Sequence, residues 1–273
     1  VLLIDTDPSA GLSMLLLPER ELEELERLRR TLPHALEAAY SEDREAEQRV
    51  RDCIRSGVEF YDVKFDVIPS SPELSEFLGR RWYDLGDAAE EPLRNLLDRI
   101  SGLGLNYDVV LIDSIPFYEA RYTRMTCRAS QYRVVVTTPR HLDVRRTNYM
   151  VKRLVGAGGR GGGIIRADEL SRSFKLLVNK VPPHGWIREL VERGEWRQLG
   201  LGEIIERYRL EVFKTFIPDR DAFAIPTADV RRRRGEAPEF LRAEWTIAKR
   251  SVRGGEIVDS LTGEVVEWLG LRT

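Results

Sequence analysis

A chain of 273 residues can bury one large core or two small ones, and 42% apolar with 32% charged residues is ordinary for a soluble globular protein. No apolar run approaches the ~20 residues that cross a bilayer, which excludes a membrane-spanning helix. Two distant cysteines, Cys53 and Cys127, form no CxxC pair; they fit a reducing, cytoplasmic setting and argue against a cysteine metal site.

The net charge of −2 conceals an uneven distribution. Between Glu19 and Asp62 there are 13 acidic and 8 basic residues, whereas between Phe117 and Arg153 there are 2 acidic and 9 basic. A nearly neutral protein with one basic face can still meet polyanions locally.

In chain order, Val1–Ile4 reads as a buried strand running directly into Asp5. No secretory leader is expected, and the sequence reads as a fragment beginning inside a strand. The highly charged stretch from Glu19 to Gly57 is expected to be a helical excursion, with Glu21–Arg30 its clearest amphipathic segment. Further strands are predicted at Phe65–Ile68, Val109–Ile112, Val134–Val136, Leu176–Val178 and Val212–Ile217. Further helices are predicted at Ala88–Ile100, Asp143–Leu154 and Ile187–Arg193, and Gly156–Gly163 reads as a loop. A helix over Pro238–Arg250 precedes an end expected to be less regular. Unbroken apolar strands alternating with amphipathic helices predict an α/β fold: a doubly wound, mostly parallel sheet flanked by helices.

Ligands of an open parallel sheet bind beyond the carboxyl ends of its strands. Those positions read Asp5-Thr6-Asp7-Pro8, Pro69-Ser70-Ser71, Asp113-Ser114-Ile115-Pro116, Thr137-Thr138-Pro139, Asn179-Lys180 and Pro218-Asp219. Carboxylates, an amide and hydroxyls are thus expected along one edge, and oxygen ligands of this kind suit Mg²⁺. Asp113 after an apolar strand is the Walker B pattern, although any α/β protein can end a strand with Asp to cap the next loop. Arg121, Arg124 and Arg128 share one face of a helix, and Arg231, Arg232, Arg233 and Arg234 form a denser run. Each reads either as phosphate contacts to DNA or as a solvated charged face. His34, His141 and His184 show no metal-ligand spacing and are expected on the surface or in loops.

Five segments in order resemble one family. VLLIDTDPSAGLSMLLL (1–17) is similar to VLLIDxDPQGN, and FDVIPSSPELSEF (65–77) to LxLIPSxxxL. NYDVVLIDSIP (106–116) is similar to YDxIIIDxPP, KLLVNKV (175–181) to a strand ending in Asn, and FKTFIPDRDAFAIP (213–226) to ETVIPxxxxxxEAP. This combination resembles the ParA/MinD/Soj branch of deviant Walker A ATPases. The resemblance implies a P-loop NTPase-like nucleotide-binding domain over 1–235 with a helical tail, 236–273, packed on it. It implies that Asp7 positions the attacking water, that Asp5 supports Mg²⁺ and the switch region, and that Asp113 serves the Mg²⁺ shell. Asn179 and Lys180, with Pro218, Asp219 and the loop that follows, would line the adenine pocket. Ser9 stands where the family has Gln, and Asp113-Ser114-Ile115-Pro116 replaces IDxPP, which alters the stiffness of the switch.

No GK[ST] occurs in the chain. The family's first strand and its KGGxGK[ST] loop, whose backbone N–H groups and lysines hold phosphate, are expected upstream of Val1. GAGGRGGG (156–163) lacks the lysine and follows a helix. The parent is therefore expected to be an ATP- and Mg²⁺-dependent switch in chromosome or plasmid partitioning, cytoplasmic and nucleoid-associated. It would dimerise around ATP, bind DNA without sequence preference, meet a ParB-like centromere-binding partner and have no membrane contact; the chain as given is expected to be inactive. Two alternatives stay open: a non-catalytic ParA-like scaffold for DNA or a partner protein, and another branch such as a MinD-like ATPase.

Overall fold

The computed structural model describes residues 1–43, 45–60, 63–85, 91–156, 165–219 and 252–271. They fall into two compact units, the first covering 1–130 and the second the described residues from 131 onward.

The first unit is built on a four-stranded sheet in the order β2-β3-β1-β4, comprising β1 (Leu2–Asp5), β2 (Arg55–Phe60), β3 (Val63–Ile68) and β4 (Val110–Asp113). β1 pairs in parallel with β3 on one side and β4 on the other, in a register that sets Asp5 opposite Asp113. The chain therefore passes from β1 to one neighbour and later returns to the other flank, which makes the carboxyl ends of β1 and β4 a topological switch point. β2 is antiparallel to β3, with an irregularity between Arg55 and Val58. The helices are α1 (Gly11–Leu16), α2 (Glu19–Arg27), α3 (Leu32–Ala39), α4 (Ala46–Asp52), α5 (Glu73–Leu85), α6 (Pro92–Gly102) and α7 (Ala120–Ala129). Apolar residues at helical spacing form the core faces: Leu74, Phe77 and Leu78 on α5, and Leu93, Leu96 and Ile100 on α6. They meet Leu2, Ile4 and Ile68 from the sheet and Leu32 and Leu36 from α3. Full burial contributes roughly 1.5–3 kcal/mol for each such side chain.

The second unit carries the sheet β5-β6-β7, made of β5 (Arg133–Thr137), β6 (Phe174–Val178) and β7 (Glu211–Val212), all parallel. Its helices are α8 (His141–Leu154), α9 (Ala167–Ser173), α10 (Trp186–Arg193), α11 (Gly202–Tyr208) and α12 (Val252–Trp268). Val178, Val181, Leu190, Val191 and Leu199 form one of its buried clusters.

The expected α/β architecture is present, with mostly parallel strands and flanking helices, but four local expectations are corrected. The excursion from Glu19 holds α2, α3 and α4 but gives way at Arg55 to β2, a charged, exposed edge strand held by backbone pairing. The helix expected over Ala88–Ile100 begins at Pro92, a residue suited to a first helical position, and runs to Gly102. The strand expected over Val212–Ile217 stops at Val212, and parallel pairing resumes only at a Val181–Pro218 bridge. Within the expected helical tail, the segment after Arg250, expected to be less regular, contains α12, a 17-residue helix. The expected helix Pro238–Arg250 and nearly all of GAGGRGGG lie outside the described residues.

Candidate functional site

At the end of β1 the chain turns through Asp5, Thr6 and Asp7 into α1. Thr6 donates its backbone N–H (2.9 Å) and its hydroxyl (2.6 Å) to the carbonyl of Asp113, which ties this turn to the end of β4. Asp5 is fully buried. Its Oδ1 accepts from the backbone of Asp7 (3.0 Å), and its Oδ2 accepts from both the backbone (2.8 Å) and hydroxyl (2.7 Å) of Ser13. Burial raises the Asp5 pKa, while the Ser13 and Asp7 donors pull it back. Asp7 Oδ1 accepts from the backbone of Ser9 at 2.8 Å, closing an Asx turn. The Asp113 side chain belongs to an exposed residue, and its pKa is raised by desolvation and then by Asp5 and Asp7. The three expected acidic residues are thus gathered at the ends of two paired strands, with their charges opposing one another.

The loop after β3 completes this end of the sheet. Ser70 donates its backbone N–H to the Ser13 hydroxyl at 2.9 Å, while its own Oγ is buried without a partner among the described residues. Ser71 Oγ lies 3.1 Å from Thr31 Oγ1, which lies 3.0 Å from His34 Nδ1; His34 Nε2 reaches Glu73 at 2.9 Å. His34 therefore departs from the surface or loop placement expected of it: it is 9% exposed within α3. The apolar neighbours Leu32, Ala35 and Leu36 carry this face inward, and Thr31 and Glu73 satisfy both ring nitrogens. Ser13, which holds Asp5 and Ser70 together, is not marked in the sequence, because an isolated serine in a short helix has no motif.

The second unit brings together the residues expected around a base. Asn179 donates its backbone N–H to Thr137 at 2.8 Å, and its Oδ1 accepts from Lys180, which adopts a left-handed conformation at φ 53°. Pro218 is bridged to Val181, and the Asp219 N–H donates to the carbonyl of Val181 at 2.7 Å. Asn179, Lys180, Pro218 and Asp219 therefore lie at adjoining chain segments.

Of the arginines expected at DNA, Arg121, Arg124 and Arg128 all lie on α7. Arg121 pairs at 3.0 Å with Glu119, whose carboxylate also caps the helix, and Arg128 approaches Glu91 at 4.0 Å. These pairs reduce the bare positive charge of that face. Arg231–Arg234 lie outside the described residues.

Among the described residues no three His, Cys, Asp or Glu side chains are grouped so as to hold a metal ion by themselves. Mg²⁺ does not need such a cage, because it keeps waters and uses one or two carboxylates together with phosphate oxygens. An exposed Asp113 whose negative charge is opposed by two neighbouring carboxylates fits that role. The phosphate end fits less well, since the sequence offers no GK[ST] cradle. No helix among the described residues is long and apolar enough to cross a membrane.

This is the ParA/MinD-type fold of the partition ATPases, as comparison with solved structures shows. A structure described as a partition protein is 21% identical with a TM-score of 0.51; the match covers 93% of this chain and 64% of that one. An ATP complex of a McdA variant from Cyanothece is 17% identical with a TM-score of 0.57, covering 100% of this chain and 85% of that one. ParA of pNOB8 is 18% identical with a TM-score of 0.54, covering 96% and 88%. No family model and no curated protein matches the chain.

Proposed function

We propose that this chain is the switch body of a ParA-like ATPase that acts in DNA partitioning. The observation that carries this reading is the registered pair Asp5–Asp113, with Asp7 beside it, at the carboxyl ends of β1 and β4 in a partition-ATPase fold. Asp113 would hold the Mg²⁺ shell, and Asp7 would orient a water for in-line attack on the terminal phosphate. Asp5, buried with both oxygens occupied, would act by fixing the turn that presents Asp7. Bound Mg²⁺ would supply charge neutralisation for the phosphate oxygens. The Asn179 Oδ1 is taken by Lys180, while its Nδ2 has no protein partner among the described residues and is available to an acceptor nitrogen of adenine. Pro218 and Asp219 would flank that base. ATP-bound dimerisation, non-specific DNA contact and a ParB-like partner complete the proposal.

The phosphate cradle would come from a strand and KGGxGK[ST] loop beside β4. In support, β4 ends its sheet with no partner on its outer edge among the described residues, and Leu111 stands 52% exposed on it. A strand reading Val109-Val110-Leu111-Ile112 has the composition of a central strand rather than an edge.

The test compares this chain with one carrying a strand and KGGxGK[ST] loop fused ahead of Val1. The chain alone should show negligible ATP turnover. The fused chain should turn over ATP with Mg²⁺, and Asp113→Ala should abolish that rate. A fused chain that retains DNA or a partner but binds no nucleotide would instead establish a scaffold that works without turnover.

A further inference from the structure

The segment between β7 and the Val181–Pro218 bridge leaves the sheet at Lys214 and Thr215, whose donors are taken by α12, some fifty residues further on. Glu264 Oε2 accepts from the backbone of Lys214 at 2.8 Å. Its Oε1 accepts from the backbone of Thr215 at 2.7 Å and from the Thr215 hydroxyl at 2.6 Å. Three donors thus converge on one carboxylate, and bonds to an ionised acceptor are the stronger kind.

One helical turn later, on the same face, Trp268 meets Phe213 edge-on at 5.8 Å and Tyr132 at 5.1 Å. Lys175 lies 4.8 Å from the Phe213 ring and 5.9 Å from the Trp268 ring, and pairs with Glu211 at 3.3 Å. The helix is therefore held by a polar clasp and an aromatic contact at two successive turns. Beyond Thr215 the chain re-enters the sheet directly. Ile217 donates to Val178, Val181 donates to Ile217 (both 3.0 Å), and Asp219 donates to Val181.

We propose that α12 is a latch and that Glu264 is the positioning residue setting loop 213–219, and with it the Asn179–Pro218 cluster. Among the described residues the loop has no ladder partners from Phe213 to Phe216 other than the bond from Phe213 to Leu176, so the clasp fixes where pairing resumes. Releasing α12 frees the loop that carries Pro218 and Asp219, which makes the C-terminal helix a control point for base recognition. The latch stands on its own; its effect on nucleotide rests on the function proposed above.

Amide hydrogen exchange on the full chain tests the latch, and nucleotide binding by the loop-fused chain tests its consequence. Glu264→Ala should speed exchange at Lys214 and Thr215 by about tenfold or more, and Glu264→Gln, which keeps an acceptor oxygen, by less. In the fused chain Glu264→Ala should weaken Mg-ATP binding and narrow its preference over Mg-GTP, with Glu264→Gln restoring part of both. Unchanged exchange at those two amides overturns the latch. Faster exchange with unaltered ATP affinity and preference overturns the positioning role. A fused parent that binds neither nucleotide refutes the proposed function, and the exchange result alone then decides the latch.

Discussion

Ser13 joins two strand ends through one hydroxyl. The group donates to the buried Asp5 carboxylate and accepts from the backbone of Ser70, so its removal strips a donor from a buried anion and an acceptor from a buried amide. Hydrogen bonds to buried charged groups contribute about 1.5–3 kcal/mol, and an orphaned partner adds its own desolvation cost. Ser13→Ala should therefore lower stability by roughly 2–3 kcal/mol, read as a reduced urea midpoint with an unchanged slope. The same variant should raise the Asp5 pKa further, because the Ser13 hydroxyl is one of the groups holding it down. A midpoint equal to that of the parent would show that the Asp5 turn is held by its backbone donors alone.

α3 carries a buried group whose titration couples the first unit to pH. Burial lowers the His34 pKa below its ordinary value of 6.5, and this outweighs the favourable carboxylates of Glu73 and Glu37; Arg29 adds to the lowering. A folded-state pKa below the unfolded one means that the unfolded chain takes the proton first. The stabilising contribution of neutral His34 is then present above about pH 6.5 and is lost as pH falls through the folded pKa. Protonation would also turn Nδ1 from an acceptor into a donor and force the Thr31 and Ser71 hydroxyls to reorient. The urea midpoint should fall as pH drops below about 6.5, and His34→Asn should flatten that slope. An identical slope in the variant would assign the acid sensitivity to other groups.

For the whole molecule, the charge distribution bears on DNA. The formal charge is −2, yet the arginines are concentrated on α7, on α8 and in the run Arg231–Arg234. Because Arg121 is paired with Glu119, α7 offers less free charge than its sequence promises, which places more of the expected phosphate binding on the run. Replacing all four of its arginines by Ala should weaken DNA retention. It should also reduce the slope of log K against log salt by roughly 0.9 for each phosphate that is no longer neutralised. Retention with the same salt dependence would remove the run from the interface.

Strands β1, β3, β4, β5 and β6 were legible from the sequence to within a residue or two, because each carries a short run of β-branched and other apolar residues bounded by polar ones. The acidic and amide residues at their ends were legible as the abrupt change from apolar to polar residues that closes each run. β2 was not legible, since an exposed edge strand is held by backbone bonds that leave no mark on composition. A helical tail was expected, but not α12 at its end, whose Gly254, Gly255 and Gly263 and β-branched valines lower its intrinsic helicity, while Trp268 and Glu264 hold it to groups remote in sequence. The sequence alone thus determined the α/β class and the positions of the strand-end side chains, because both follow from local polarity patterns. Only the tertiary structure decided that Asp5 is sealed by Ser13, that His34 is buried and that Glu264 clasps the 213–219 loop, because each depends on groups brought together by packing rather than by neighbourhood in the chain.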